Sequence, residues 1–82
     1  MANVIFYTRQ NCCLCDEALA VVSEVRRGHS FSLSIVDIDG DAKLRARYGE
    51  KVPVIVVDGR MHAKYRVDAR RFERRLHSAV AA

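Results

Sequence analysis

Short apolar runs alternate along the chain with stretches whose apolar positions recur every three or four residues, which predicts the element order β-α-β-α-β-β-α. Residues 4–7, Val-Ile-Phe-Tyr, form the β-branched and aromatic run of a buried strand. From Cys13 the period lengthens: Cys15, Ala18, Leu19 and Val22 fall at i, i+3, i+4 and i+7, one face of a helix. Asp16 and Glu17 in its first turn and Arg26 and Arg27 in its last suit the helix dipole, with Gly28 the expected terminator. Phe31, Leu33 and Ile35 alternate with serines, so a second strand is expected through Ile38. Asp39-Gly40-Asp41 interrupts it. Asp41 is placed to cap a short helix over 42–48 that has Leu44 and Tyr48 on one face and ends at Gly49.

Residues 52–57 read as a third strand, entered at Pro53, which has no N–H for a ladder. Asp58-Gly59 signals a tight hairpin and returns the chain through residues 61–65. Asp68 stands ready to cap a last helix whose Ala69, Phe72, Leu76 and Val80 form an apolar stripe. A βαβ first half requires parallel strands with a right-handed crossover, and the hairpin requires an antiparallel pair. The expected fold is therefore α/β: a mixed four-stranded sheet flanked by three helices, a single domain over 1–82.

Composition fits that picture. Half of the 82 residues are hydrophobic, enough for one core. The apolar runs are far shorter than the ~20 residues that span a bilayer. Met1-Ala2-Asn3 does not begin a secretory signal, so a soluble, cytoplasmic protein is expected. In that reducing setting, closely spaced cysteines are more often catalytic or metal-binding than permanent cross-links. The net charge of +4 is uneven: from Arg60 onward there are seven basic residues against two acidic ones. A solvated helix face is the favoured reading of this basic end, so neither nucleic acid nor a membrane is an expected partner, and a monomer is expected.

The chemistry points to Cys12-Cys13-Leu14-Cys15. Cys12 and Cys15 form a C-x-x-C pair that follows a buried strand and opens a helix, the context in which this spacing is redox-active. Unpaired N–H groups and the dipole at a helix N-terminus favour a thiolate, the attacking species. Cys12 at the helix start is the expected nucleophile. Cys15, one turn on and facing the core, is the expected resolving cysteine. Arg9 is the nearest preceding cation, a candidate to stabilise the thiolate or hold a substrate carboxylate. Asp16 and Glu17 oppose thiolate formation, so a lowered Cys12 pKa is expected, less lowered than without those acids. Cys13 reads as a small residue at a variable position, with a supporting thiol as the alternative. Zinc would need a ligand from His29, His62 or His77, which are scattered, and no second half of a tetrahedral motif follows; no metal site is expected.

The segment Tyr7-Thr8-Arg9-Gln10-Asn11-Cys12-Cys13-Leu14-Cys15, together with Val52-Pro53 and the Asp58-Gly59 turn, resembles the glutaredoxin family. It is most similar to the short bacterial glutaredoxin-like proteins with C-x-L-C. The resemblance spans nearly the whole chain and implies a thioredoxin-like fold. It further implies a cis peptide before Pro53, substrate contact at Val52 and Pro53, and an acidic contact at Asp68. The implied activity is that of a disulfide reductase in electron transport, with no bound cofactor and with a disulfide-containing protein or a small thiol such as glutathione as partner. The Gly-Gly that admits glutathione in that family is replaced here by Ala63-Lys64-Tyr65-Arg66-Val67. Two alternatives stand beside this reading. One is a zinc or iron–sulfur module; the other is a non-catalytic interaction domain acting through Arg70, Arg71, Arg74 and Arg75.

Overall fold

In the computed structural model, residues 2–81 are described, with side chains through residue 77. Its elements run β1 (Ala2–Thr8), α1 (Cys13–Gly28), β2 (Phe31–Asp37), a 3-10 turn (Ile38–Gly40), α2 (Ala42–Tyr48), β3 (Val54–Val57), β4 (Arg60–Lys64) and α3 (Ala69–Ala81). The sheet order is β2-β1-β3-β4, with β1 parallel to β2 and antiparallel to β3, and β3 antiparallel to β4. This is the mixed four-stranded sheet with three helices that the pattern predicts.

Alternation along the strands sorts the side chains onto two faces. On one, Val4 and Phe6 of β1, Phe31 of β2, and Ile55 and Val57 of β3 meet α1 and α3. The helices contribute Cys15, Ala18, Val22 and Val25 from α1, and Phe72 and Leu76 from α3. On the other, Val54 and Val56 pack with Ile38 and Tyr48, and Ile5, Tyr7 and Leu44 close over them. All four residues of β3 are buried, because this inner strand is covered on both faces. That explains its unbroken Val-Ile-Val-Val run.

Turns and caps follow the local chemistry. Asp58 (φ 50°) and Gly59 (φ 83°) are both left-handed, as a two-residue hairpin turn requires. Asp58 is clasped to β1: its N–H donates to the Asn3 carbonyl at 2.8 Å, and its carboxylate accepts from the Asn3 N–H at 2.9 Å. Asp41 Oδ1 accepts from the Lys43 and Leu44 N–H groups at 2.8 and 3.2 Å, the expected cap of α2.

Four expectations are corrected. Gly28 is the last residue of α1, and the extended His29 (φ −139°) ends the helix, so no left-handed glycine is used there. Ile38 leaves β2 and is buried beneath the sheet in the 3-10 turn. Ile35 stays 55% exposed, because β2 is an edge strand. Val52 and Pro53 precede β3 rather than belonging to it. Val80, the last member of the α3 stripe, lies outside the residues whose side chains are described. Among the described residues no helix is long and apolar enough to cross a membrane.

Phe72 is fully buried and meets Phe31 edge-on, with ring centroids 5.5 Å apart. Phe72→Ala should therefore lower unfolding stability by about 3–5 kcal/mol, against about 1 kcal/mol for Asp41→Ala at its exposed cap. Urea denaturation of the two variants measures both; equal losses would contradict this assignment of the core.

Candidate functional site

Strand β1 ends at Thr8, and four residues later Cys12 forms the N-cap of α1. Cys12 is extended (φ −110°, ψ 104°), and its Sγ accepts from the Cys15 N–H at 3.2 Å. Here a sulfur takes the position that a serine or aspartate oxygen ordinarily holds at a helix start. Asn11, left-handed at φ 59°, turns the chain into the helix. Three cysteines in four residues thus acquire three environments: Cys12 half-buried, Cys13 exposed, and Cys15 buried at 3% exposure in the α1–α3 core. All three are free thiols.

The expected lowering of the Cys12 pKa is not found; it is raised above the ordinary cysteine value. Burial is the largest cause, followed by the side-chain hydrogen bond with Cys15, whose proximity also raises it by its charge. The backbone N–H groups of Cys15 and Leu14 pull it down, but not far enough. The helix N-terminus acts as predicted, and desolvation of a thiol packed against the core outweighs it.

Arg9 is engaged elsewhere. Its Nε donates to Asp39 Oδ1 at 3.0 Å and its Nη1 to the Gly49 carbonyl at 3.0 Å. One guanidinium thereby ties the loop before Cys12 to the 3-10 turn and to the end of α2. Asp39 and Gly49 were not legible as partners of the site, since both read locally as turn residues. A Cβ on Gly49 would lie 2.5 Å from the Arg45 carbonyl oxygen, so the close chain approach there needs glycine.

The Val52–Pro53 peptide is cis, as the resemblance implies. Tyr7 pairs with Val54, so Pro53 and Val52 continue past the end of β1, at the sheet end where the Cys12 loop departs. Val52 and Cys12 both pack against the core that contains Cys15. The Pro53 carbonyl accepts from the Tyr65 N–H at 2.9 Å, and among the described residues Val52 takes part in none of the backbone hydrogen bonds of the loops. Beside α1, a cleft of about 130 Å³ separates Leu14, Ala18 and Val21 from Tyr65, Arg66 and Val67. Asp68 lies beyond it, fully exposed, its Oδ1 accepting from the Arg71 N–H at 3.0 Å. That hydrogen bond is the main reason its pKa is lowered.

The histidines do not approach the cysteines as a zinc site would require. His29 faces His77 at 5.3 Å between ring centroids, and His62 packs on Phe72 at 5.7 Å. Among the described residues no three His, Cys, Asp or Glu side chains assemble to hold a metal ion.

A mixed β2-β1-β3-β4 sheet, a C-x-x-C pair opening its first helix and a cis-proline at the same sheet end define a thioredoxin-fold protein. Within that class, the family description "Glutaredoxin-like domain (DUF836)" matches residues 3–77, and the chain belongs to this family. A Xanthomonas campestris protein of known crystal structure is 33% identical, with TM-score 0.77 over 92% of this chain and 96% of its own. A Nitrosomonas europaea protein solved by NMR is 26% identical, with TM-score 0.79 over 92% and 91%. An uncharacterized protein of Mycobacterium tuberculosis is 32% identical over 96% of this chain and 82% of its own. The Halobacterium salinarum thioredoxin, 20% identical at TM-score 0.71 over 94% of this chain and 73% of its own, shares the fold.

The raised Cys12 pKa has a direct readout. In a Cys13→Ser background, the pH midpoint for alkylation of Cys12 by iodoacetamide should lie above that of an unstructured cysteine peptide. Cys15→Ala should move it down by removing the neighbouring thiol, as mass spectrometry of the modified residue would show. A midpoint below the peptide's would contradict dominance by burial.

Proposed function

We propose that this protein is a thiol–disulfide oxidoreductase that passes electrons through a Cys12–Cys15 dithiol/disulfide pair. The observation that carries the reading is the inequality of the pair: Cys12 half-buried at the N-cap, Cys15 buried one turn on with its N–H on the Cys12 sulfur. Cys12 gives its proton to solvent and attacks one sulfur of the substrate disulfide. This forms a Cys12–substrate bond and expels the other sulfur as a thiolate. Cys15 then loses its proton and attacks the Cys12 sulfur, releasing the second substrate thiolate and closing Cys12–Cys15. Two electrons pass to the substrate, and a thiol reductant such as glutathione, or a dithiol protein, returns them.

Substrate contact is assigned to Val52 and Pro53 at the cis peptide, and to the exposed charged residues Arg9 and Asp68. The role of Arg9 is mainly to position the Cys12 loop, given its hold on Asp39 and Gly49. The cleft beside α1, lined by Leu14, Ala18, Val21 and Val67 with the charged Glu17 and Arg66, would receive the substrate, a disulfide-bearing protein or a small thiol such as glutathione. The protein works in this reading as a cytoplasmic monomer without a bound cofactor.

Cys12→Ser should abolish disulfide reductase activity, and Cys15→Ser should accumulate a mixed disulfide on Cys12 detectable by non-reducing mass spectrometry. Cys13→Ser should keep both steps. Full activity in Cys12→Ser would overturn the assignment.

A further inference from the structure

Three of the seven basic residues from Arg60 onward gather at one place. Arg71, Arg74 and Arg75 lie at i, i+3 and i+4 on α3, and with His62 of β4 they line one shallow, open cavity of about 270 Å³. Like charges at this spacing destabilise a helix. Yet among the described residues none of the three arginines has an ion-pair partner. Asp68 in the adjoining cleft is held at the Arg71 N–H as a helix cap, and the charges of Arg71 and Arg70 help to lower its pKa. Arg75 is fixed: its Nη2 donates to the Val57 carbonyl at 3.3 Å. His62 is half-buried against Phe72.

We propose that this cavity binds an oxyanion of the phosphate class, held by the guanidinium groups of Arg71, Arg74 and Arg75 with the His62 imidazole at its wall. Planar guanidinium forks match the oxygens of a phosphate group, and a single anion would relieve the mutual repulsion of all three. His62 reports the same field: its pKa is lowered by burial first, then by Arg75 and Arg71. An anion seated among the arginines would raise it again. The site is independent of the cysteines, so Cys12→Ser leaves it intact.

The test is a titration of the whole protein at constant ionic strength, following the His62 Hε1 resonance by NMR. One arm adds inorganic phosphate and pyrophosphate; a second adds a short single-stranded oligonucleotide. A saturable His62 shift with phosphate or pyrophosphate, weakened at least about tenfold in R71Q/R74Q, is the expected result. Saturation by the oligonucleotide alone, with the same arginine dependence, would place the same phosphate chemistry on a nucleic acid. No saturable shift in either arm, or one indifferent to R71Q/R74Q, would overturn the site. Both arginines are exposed, so the melting temperature should hold; if the double variant melts early, R74Q alone carries the comparison.

Discussion

The hydrogen bond from the Cys15 N–H to the Cys12 sulfur is the constraint on which the site turns. It makes a thiol the cap of α1 and fixes how far the two sulfurs differ in depth. It also places Cys12 where two physical effects compete. Backbone N–H groups at the helix start favour the thiolate, and packing against the core favours the thiol. Here burial prevails. In the proposed exchange reaction, a pair without a strongly stabilised thiolate acts as a donor of electrons rather than as a strong oxidant.

The sheet brings the rest of the site to this point. Pairing of Tyr7 with Val54 sets the cis Val52–Pro53 peptide beyond the end of the same strand that feeds the Cys12 loop. Arg9 anchors that loop from the opposite layer through Asp39 and Gly49, while Tyr7 stacks on Tyr48 at 4.7 Å beneath it. Both cores thus converge on one short loop: Val52 packs against each of them. The basic cavity on β4 and α3 belongs to a separate edge of the sheet.

Element order, sheet topology and the place of Cys12 and Cys15 at the start of a helix were legible because each rests on a local signal. These are the period change at Cys13, the apolar run of β1, the alternation in β2, and an Asp-Gly turn whose two residues both adopt left-handed φ. What was not legible depends on contacts between distant segments. Nothing in Tyr7-Thr8-Arg9 says that the guanidinium reaches Asp39, 30 residues away, rather than the sulfur beside it. The Cys12 pKa likewise depends on how deeply α1 seats its first turn, which follows from packing rather than from spacing. The exposure of Ile35 was not legible for the related reason that alternation marks a face without saying whether the strand bearing it is an inner strand or an edge strand.

The most direct test of the central claim, an unequal and electron-donating Cys12–Cys15 pair, is its equilibrium with glutathione redox buffers, with the disulfide located by peptide mapping. The account predicts one Cys12–Cys15 disulfide, Cys13 left free, and a potential of roughly −200 to −270 mV, the range of working cytosolic exchangers. A potential near about −120 mV would mean a stabilised thiolate, and one below about −300 mV would mean a structural bond. Either value, or oxidation that pairs Cys13 instead, would contradict it.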